Sequence, residues 1–402
     1  MILEYALSGR PEKQWRWGAR KDMVRVVQVV RPSGLLPPPW SCPVHPVARA
    51  CFLLFAAVGL IASGRGVAQV PDPGQLDGRV RLIERVVIGG PSDSTLAGPA
   101  DVDRTSGGHI VVLSGGVPRI YDSTGKVMRD LARIGDGPRE LREPGAIEVG
   151  FDDSLRVFSN SRLSVFTPDL AASRVVVHRS AEVLEEYDAT MLTATTYATR
   201  SRMHRVGPDW RSFNPVYIRN LEDGSVRRLE WRTDGDPPQR TITRASADQF
   251  WMTEHEGYNA RGYRVVLADT TGNRTQSFVR EPAWWVPRDP EASPTGPRGF
   301  GSGVMAIRQD EKGRLIVMAL TPREGLTTSD YERALRREHG GSSLLILFST
   351  VIEVIDPATG QVAVSEPLRE HGVAIADGRH IATYREDAVG FPYLTLWELD
   401  IN

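Results

Sequence analysis

"RIGDGPRELREPGAIEV", residues 133–149, is the stretch of the sequence that decides the fold. It places three glycines and two prolines among arginine and glutamate, and it leads into an alternation of apolar residues. A phosphate-binding loop is one interpretation, but no Gly-Lys-Ser/Thr ending is present and no helical pattern follows. A charged linker and a joint between repeating units are the other two interpretations, and the joint requires that the flanking strands repeat.

Short apolar strands do recur on both sides of this stretch. An acidic residue shortly before glycine, between two apolar strands, is typical of a hairpin turn, because the carboxylate accepts backbone N–H groups and glycine adopts positive φ. Turns of this kind or close to it occur at Asp122–Gly125, Thr167–Asp169, Glu222–Gly224, Asp269–Gly272 and Asp356–Gly360. Their interval is roughly 50 residues, which is the length of a four-stranded propeller blade.

The repeat predicts an all-β fold, a six-bladed β-propeller with four-stranded blades over residues 80–402. One interval is about twice as long as the others, and we interpret residues 321–343 as an insertion in blade five that carries a helix over residues 329–339. The sixth repeat lacks one strand, whereas an unassigned strand, Val80–Ile88, precedes the first. We expect this N-terminal strand to complete blade six, because a closed ring removes exposed sheet edges.

The opening stretch matches a linker pattern, Gly-x-Gly-Pro-x-Glu followed by an aliphatic residue, proline and isoleucine. The matching residues are Gly135, Gly137, Pro138, Glu140, Leu141, Pro144 and Ile147. This pattern resembles the NHL repeat and related six-bladed propellers of exported bacterial proteins, and the match is confined to this unit. The resemblance implies the fold alone, because propellers serve as binding modules, lactonases, lyases and scaffolds alike.

The N-terminal region has a different composition from the rest. Residues 50–63, ACFLLFAAVGLIAS, form an apolar run after Arg49, and the small residues Gly66-Val67-Ala68 follow. This layout predicts a signal peptide, since the run is shorter than the roughly 20 residues of a membrane span. The predicted organisation is therefore a signal peptide with an N-terminal extension over 1–68, a short linker over 69–79, and the propeller over 80–402. Residues 1–48 lack periodicity, which favours a translation start nearer Val47.

Charge and cysteine content agree with export to the periplasm or the extracellular space. The two cysteines, Cys42 and Cys51, precede the predicted cleavage site, so the mature chain would contain no disulfide. A formal net charge of -1 provides no electrostatic basis for binding nucleic acid or an anionic membrane. Membrane contact is expected only through an uncleaved signal peptide.

Two connectors between blades supply the candidate binding residues. In the opening stretch these are Arg139, Arg142 and Glu143, which would line the face around the central channel, while Glu140 is expected to bond a backbone N–H or an arginine. In the connector between blades four and five, Trp284 and Trp285 could stack on a sugar or a peptide. The alternative for the opening stretch is a structural role in the chain crossing between blades, and the alternative for the tryptophans is packing between blades.

No complete catalytic or metal-binding pattern is present. The eight histidines are scattered, and the acidic pairs Asp152-Asp153 and Asp310-Glu311 lack the rest of a calcium loop. We therefore predict no catalytic residues, no metal ligands and no cofactor. The leading hypothesis is a non-catalytic binding or scaffold module for a peptide, glycan or protein. The alternative is a metal-dependent hydrolase or lactonase at the channel face, with Ca²⁺ or another divalent cation.

Overall fold

A computed structural model describes residues 79–401 with internal gaps. The positions outside the description are 92, 94, 136, 138–139, 143, 151, 160–161, 171–172, 178–185, 202, 207–208, 213–215, 230–238, 256–260, 290–299, 328 and 331–346. The predicted signal peptide (1–68) and all but the last residue of the predicted linker (69–79) also lie outside the described residues.

The described residues form six four-stranded antiparallel sheets, with strands numbered in chain order. Blade one contains β2 (Pro99–Arg104), β3 (Ile110–Ser114), β4 (Val117–Tyr121) and β5 (Val127–Asp130). Blade two contains β8 (Pro144–Val149), β9 (Leu155–Ser159), β10 (Arg162–Phe166) and β11 (Ser173–Val177). Blade three contains β12 (Glu186–Met191), β13 (Thr196–Ser201), β16 (Val216–Asn220) and β17 (Val226–Leu229).

The second half of the chain follows the same plan. Blade four contains β18 (Gln239–Arg244), β19 (Gln249–His255), β20 (Tyr263–Asp269) and β21 (Arg274–Arg280). Blade five contains β22 (Gly303–Gln309), β23 (Leu315–Pro322), β24 (Phe348–Ile355) and β25 (Val362–Val364). Blade six contains β26 (His371–Ala376), β27 (His380–Glu386), β28 (Pro392–Ile401) and β1 (Val80–Gly89). Two small sheets pair β6 (Arg133–Ile134) with β7 (Glu140–Leu141), and β14 (Met203–Val206) with β15 (Asp209–Ser212).

The blades form a closed ring around their first strands. The first strand of each blade contacts the first strand of the next, and β26 of blade six contacts β2 of blade one. The N-terminal strand β1 pairs antiparallel with β28, from Val80 opposite Ile401 to Gly89 opposite Tyr393. The predicted six-bladed, all-β propeller is thereby confirmed. No helix in the described part of the chain is long and apolar enough to span a membrane.

Hydrophobic contacts between neighbouring blades make the core. Between blades one and two, for example, Val111 and Leu113 pack in one buried cluster with Leu155 and Val157. A comparable cluster lies at each of the other five interfaces within the described residues. Strands β3 and β24 are buried along their whole length, because both of their faces meet a neighbouring blade. This explains why β3 begins with a continuous apolar run, Ile110–Leu113, and does not alternate.

The opening stretch connects blade one to blade two, as predicted. Its loop is closed by Glu140, whose Oε2 accepts a 2.7 Å hydrogen bond from the Gly137 N–H. A Cβ atom at Gly135 would lie 2.1 Å from the same oxygen, so the glycine makes room for the carboxylate. Elsewhere, Ser329 and Asp330 are helical, and the rest of the predicted helix over 329–339 lies outside the described residues.

Candidate functional site

The loops of the ring fall on two faces that differ in length and in polarity. Strands alternate in direction within a blade, so loops after first and third strands lie on one face, here called the turn face. Loops after second and fourth strands lie on the opposite face, here called the connector face. Every turn-face loop between the described strands has at most six residues. The turn face is therefore a compact surface of tight turns.

The polar groups of the turn face bond one another. Asp269 accepts hydrogen bonds from the Thr271 and Asn273 N–H groups and from both of their side chains, which lowers the pKa of Asp269 to about 2. Neighbouring turns are also joined, because the Ser106 N–H donates a 2.8 Å bond to Asp153 Oδ1. Such satisfied turns offer few groups for a ligand.

The longest intervals between consecutive strands of a blade or of adjacent blades begin and end on the connector face. They follow β21 (ending at Arg280), β23 (ending at Pro322) and β13 (ending at Ser201), and the last of them contains the β14–β15 hairpin. Exposed apolar side chains lie on the same face, at Ile134, Val286, Val389 and Phe391, and Val389 is 78% exposed. Among the described residues, no large exposed apolar side chain lies in a turn-face loop. The two faces thus differ in the surface that they offer to a partner.

The three predicted binding residues that the structure describes, Arg142, Trp284 and Trp285, belong to connectors of this face, but they lie in two different joints. Arg142 is exposed in the connector between blades one and two, while Arg139 and Glu143 lie outside the described residues. Trp285 is only 8% exposed and packs 5.8 Å from Tyr263, measured between ring centroids. Trp284 packs beside it at 5.7 Å. Both tryptophans join the hydrophobic cluster between blades four and five.

A buried glutamate fixes the tryptophan connector. Glu353, which is fully buried on β24, accepts a 3.0 Å hydrogen bond from Trp284 Nε1 and forms a 3.1 Å ion pair with Arg280. Tyr263 donates its hydroxyl to the same carboxylate, and burial beside that charge raises the pKa of Tyr263 well above its usual value. The carboxylate is thus matched by one cation and two neutral donors, as a buried charge requires.

Backbone bulges line the channel. Five of the six innermost strands within the described residues shift register near their beginning, which leaves one extra residue in each. These residues are Ala100, Gly145, Tyr187, Met305 and Val373. A bulge bends the strand and redirects a side chain. Met305 is 44% exposed although it lies on an innermost strand.

Carboxylates on the innermost strands join one blade to the next. Asp101 accepts the Ile147 N–H at 2.8 Å, Glu148 accepts the Met191 N–H at 2.8 Å, and Asp188 accepts the Ile242 N–H at 2.9 Å. Burial raises the pKa of each of the three carboxyls. These contacts lie on the channel-lining strands of blades one to four.

Asp103 connects four blades at the channel. Its Oδ2 accepts the Val149 N–H of blade two at 2.7 Å, and its Oδ1 accepts the Asp377 N–H of blade six at 3.1 Å. Arg308 of blade five reaches the same oxygen at 3.0 Å and also donates to the Ile375 carbonyl. Asp103 is 1% exposed, so its charge is balanced within the channel by Arg308.

Sequence analysis missed these channel carboxylates and Glu353. Glu148 and Glu353 each lie between apolar residues, in "AIEV" and "VIEVI", and a charge at such a position needs buried partners. That pattern was the available signal for these two residues. Asp101, Asp103 and Asp188 lie in the mixed sequences "PADVDR" and "EYDATM", which give no such signal. In the described part of the chain, no group of three or more His, Cys, Asp or Glu side chains is placed to hold a metal ion.

Comparison with known proteins supports the fold. No family model matches the sequence, and no curated protein matches it. The solved structure of a DUF4221-family member from Bacteroides vulgatus is similar, with a TM-score of 0.54 and 10% identity over 81% of this chain and 99% of that chain. A Bacteroides fragilis protein that is named as exported has a TM-score of 0.46 and 9% identity, over 83% and 98% of the two chains. At 10% identity the likeness to the DUF4221-family structure shows the fold alone, and no comparison confirms the NHL family.

Proposed function

We propose that this protein is a non-catalytic, exported propeller that binds another protein through its connector face. The observation that carries the proposal is the difference between the two faces. Long connectors and exposed apolar side chains lie on the connector face, and self-bonded tight turns cover the other. Exposed apolar side chains on surface loops are one feature of protein-binding faces.

A protein partner fits this face better than a glycan does. Val389 and Phe391 lie in the turn between β27 and β28, and Val286 and Ile134 lie in two other joints of the ring. Contacts spread over several blades suit a broad protein surface. Trp284 and Trp285, the side chains suited to stacking on a sugar, are held between blades four and five by Glu353 and the surrounding cluster.

Site-specific photocrosslinking tests this proposal in the cells that make the protein. A photoreactive phenylalanine analogue at Val389 or Phe391 is expected to give a discrete crosslinked protein adduct. The same analogue at Ser123 or Glu311, which are exposed on the turn face, is expected to give none. Equal adducts from both faces, or adducts from neither, would contradict a partner at the connector face.

Export rests on the sequence of residues 50–68 and has a separate test. Edman sequencing of the protein from its native host is expected to begin at Gln69, in material recovered from the periplasm or the medium. A mature chain that retains residues 1–48 would contradict the predicted signal peptide. Metal analysis of the same material addresses the hydrolase alternative, because stoichiometric Ca²⁺ or Zn²⁺ that a chelator removes would favour it.

A further inference from the structure

The joint between blades five and six contains an arginine that has no carboxylate partner. Arginines at two other joints are paired, since Arg280 faces Glu353 and Arg308 faces Asp103. Arg323, which follows β23 on the connector face, forms no ion pair with a carboxylate in the described part of the chain. An anion from outside the chain would supply the counter-charge that the other two joints already contain.

Backbone carbonyls hold the Arg323 guanidinium in place. Its Nε donates a 2.9 Å hydrogen bond to the Phe348 carbonyl of β24. Its Nη2 donates to the Arg369 carbonyl, which belongs to the connector between β25 and β26. The guanidinium therefore bridges blade five and the connector to blade six. A cation that is already fixed in this way loses little further side-chain entropy when it binds a ligand.

The same connector is fixed to β24 and places a histidine beside Arg323. Thr350 Oγ1 donates to the Glu370 carbonyl and accepts the Gly372 N–H, both at 2.6 Å. His371 lies between these two residues, close enough to Arg323 for the arginine charge to act on its ring. Its Nδ1 is buried and has no hydrogen-bond partner. Since buried polar atoms are normally hydrogen-bonded, this nitrogen indicates a partner outside the chain.

Arg369 brings a second guanidinium to the same position. Its side chain is exposed and forms no hydrogen bond or ion pair within the described residues. The charges of Arg369 and Arg323 repel each other. Glu370, between Arg369 and the histidine, does not relieve this repulsion, because it accepts the Thr383 hydroxyl and pairs with Arg385 at 3.2 Å. Two cations thus lie together with no carboxylate bonded to either.

We propose that Arg323, Arg369 and His371 form a carboxylate-binding site on the connector face, at the joint between blades five and six. Planar guanidinium groups match the two oxygens of a carboxylate. Phosphate sites are usually built from backbone N–H groups, and the Gly372 N–H is already bonded to Thr350. This inference goes beyond the proposed function, and the site does not depend on it.

The surroundings of the site strengthen the attraction of an anion. The backbone N–H of Arg323 donates to the Leu347 carbonyl, and Leu347 and Phe348 belong to a buried apolar cluster. Charges beside such a cluster are screened less than in water. A bound carboxylate would also oppose the effect of Arg323 on His371, so we expect binding to raise the pKa of His371 from about 4 towards its ordinary value.

NMR titration of the purified protein tests the site with three probes. These are the peptide acetyl-Ala-Ala-Glu-Ala-Ala-amide, its twin with Gln in place of Glu, and succinate. The ring signals of His371, assigned by their loss in His371→Leu, are expected to shift saturably with the Glu peptide and with succinate. Dissociation constants on the order of 1 mM are expected for such small probes. The Gln peptide should cause no shift.

The two carboxylate probes also distinguish the sources of the ligand. Tighter binding of the Glu peptide would assign the site to an acidic side chain of a protein partner, and tighter binding of succinate would assign it to a free organic acid. Inorganic phosphate is titrated alongside them at the same ionic strength. If phosphate binds more tightly than both, the assignment to a carboxylate is overturned.

Three variants complete the test. Arg369→Gln removes an exposed charge without touching the packing, and should weaken binding of the Glu peptide about fivefold; Arg323→Gln should weaken it about tenfold. Arg379→Gln is the matched control on the turn face, where 70% of the arginine side chain is exposed, and should bind as the parent does. Unchanged binding by both site variants would overturn the proposal, as would the absence of any saturable shift or an equal response to the Gln peptide.

Discussion

Arg308 of blade five donates a 3.0 Å hydrogen bond to Asp103 of blade one, past the innermost strand of blade six. The guanidinium also bonds the Ile375 carbonyl of blade six on its way. The pair therefore ties together three blades that lie side by side in the ring but far apart in the sequence. Both partners are largely buried, with 26% of the Arg308 side chain and 2% of the Asp103 side chain exposed.

Replacing Arg308 by methionine is expected to destabilise the fold by about 3 kcal/mol, because a buried carboxylate then loses its counter-charge. Chemical denaturation at pH 7 measures the change. The control is Arg85→Gln, which removes one partner of Glu398 at a site where half of the arginine side chain is exposed. That variant should stay within about 0.5 kcal/mol of the parent. Equal losses of stability in the two variants would show that the Arg308–Asp103 pair stabilises the fold no more than the exposed Arg85–Glu398 pair does.

Replacing Glu353 by alanine is expected to cost about 3–5 kcal/mol, because the largely buried Arg280 then loses the carboxylate that faces it. Trp284→Phe keeps an aromatic ring in the cluster but removes the Nε1 donor to Glu353. It should lower the free energy of unfolding of the ligand-free protein by about 1–2 kcal/mol. Val286→Ala, two residues along the same connector and exposed, should change stability little. A Trp284→Phe variant as stable as the parent would show that the connector is held in another way.

Gly125 and Gly224 form a matched pair of turn glycines. Both have positive φ, at +86° and +71°, and a Cβ at Gly125 would lie 2.9 Å from the Val87 carbonyl oxygen of β1. Nothing lies within 4 Å of a Cβ at Gly224. Gly224→Ala should therefore cost about 1 kcal/mol for backbone strain alone, and Gly125→Ala should cost about 1–2 kcal/mol more. Denaturant melts of both variants measure the difference, which would vanish if the blade-one turn did not press on β1.

Burial of His371 makes the stability of the fold depend on pH. Burial and Arg323 lower the pKa of His371 to about 4, so the folded protein leaves it neutral while the unfolded chain takes up a proton below about pH 6.5. Stability is lost as pH falls through this range. His371→Leu should remove that loss. When the pH is lowered from 8 to 5, the difference in melting temperature between the variant and the parent should therefore shift by a few degrees in favour of the variant. A constant difference between the two proteins would contradict the lowered pKa.

The propeller fold could be predicted from the sequence because similar turn residues recur from blade to blade. Residues of the same types as Asp269 and Gly272, for instance, occur in nearly every turn before the last strand of a blade. Asp269 bonds residues only a few positions away, so the turn can be recognised from the local sequence. The channel contacts could not be predicted in this way. Asp103 and Arg308 are 205 residues apart, and nothing in either strand indicates that blade six brings them together. The role of the paired tryptophans could not be decided from the sequence for the same reason. Glu353, which accepts the hydrogen bond of Trp284 Nε1, lies 69 residues away in the chain.

The pairing of the N-terminal strand with the C-terminal strand has a consequence for the time course of folding. Val80 can pair with Ile401 only after that residue has been synthesised. Asp103 can likewise accept the Asp377 N–H only after a further 274 residues have been synthesised. At ordinary rates of synthesis this delay is on the order of tens of seconds. The first of the described strands is thus among the last to pair. Refolding from denaturant should be slow, because such distant contacts raise the entropic cost of loop closure. Until then β1 remains an unpaired strand, available to chaperones and prone to aggregation.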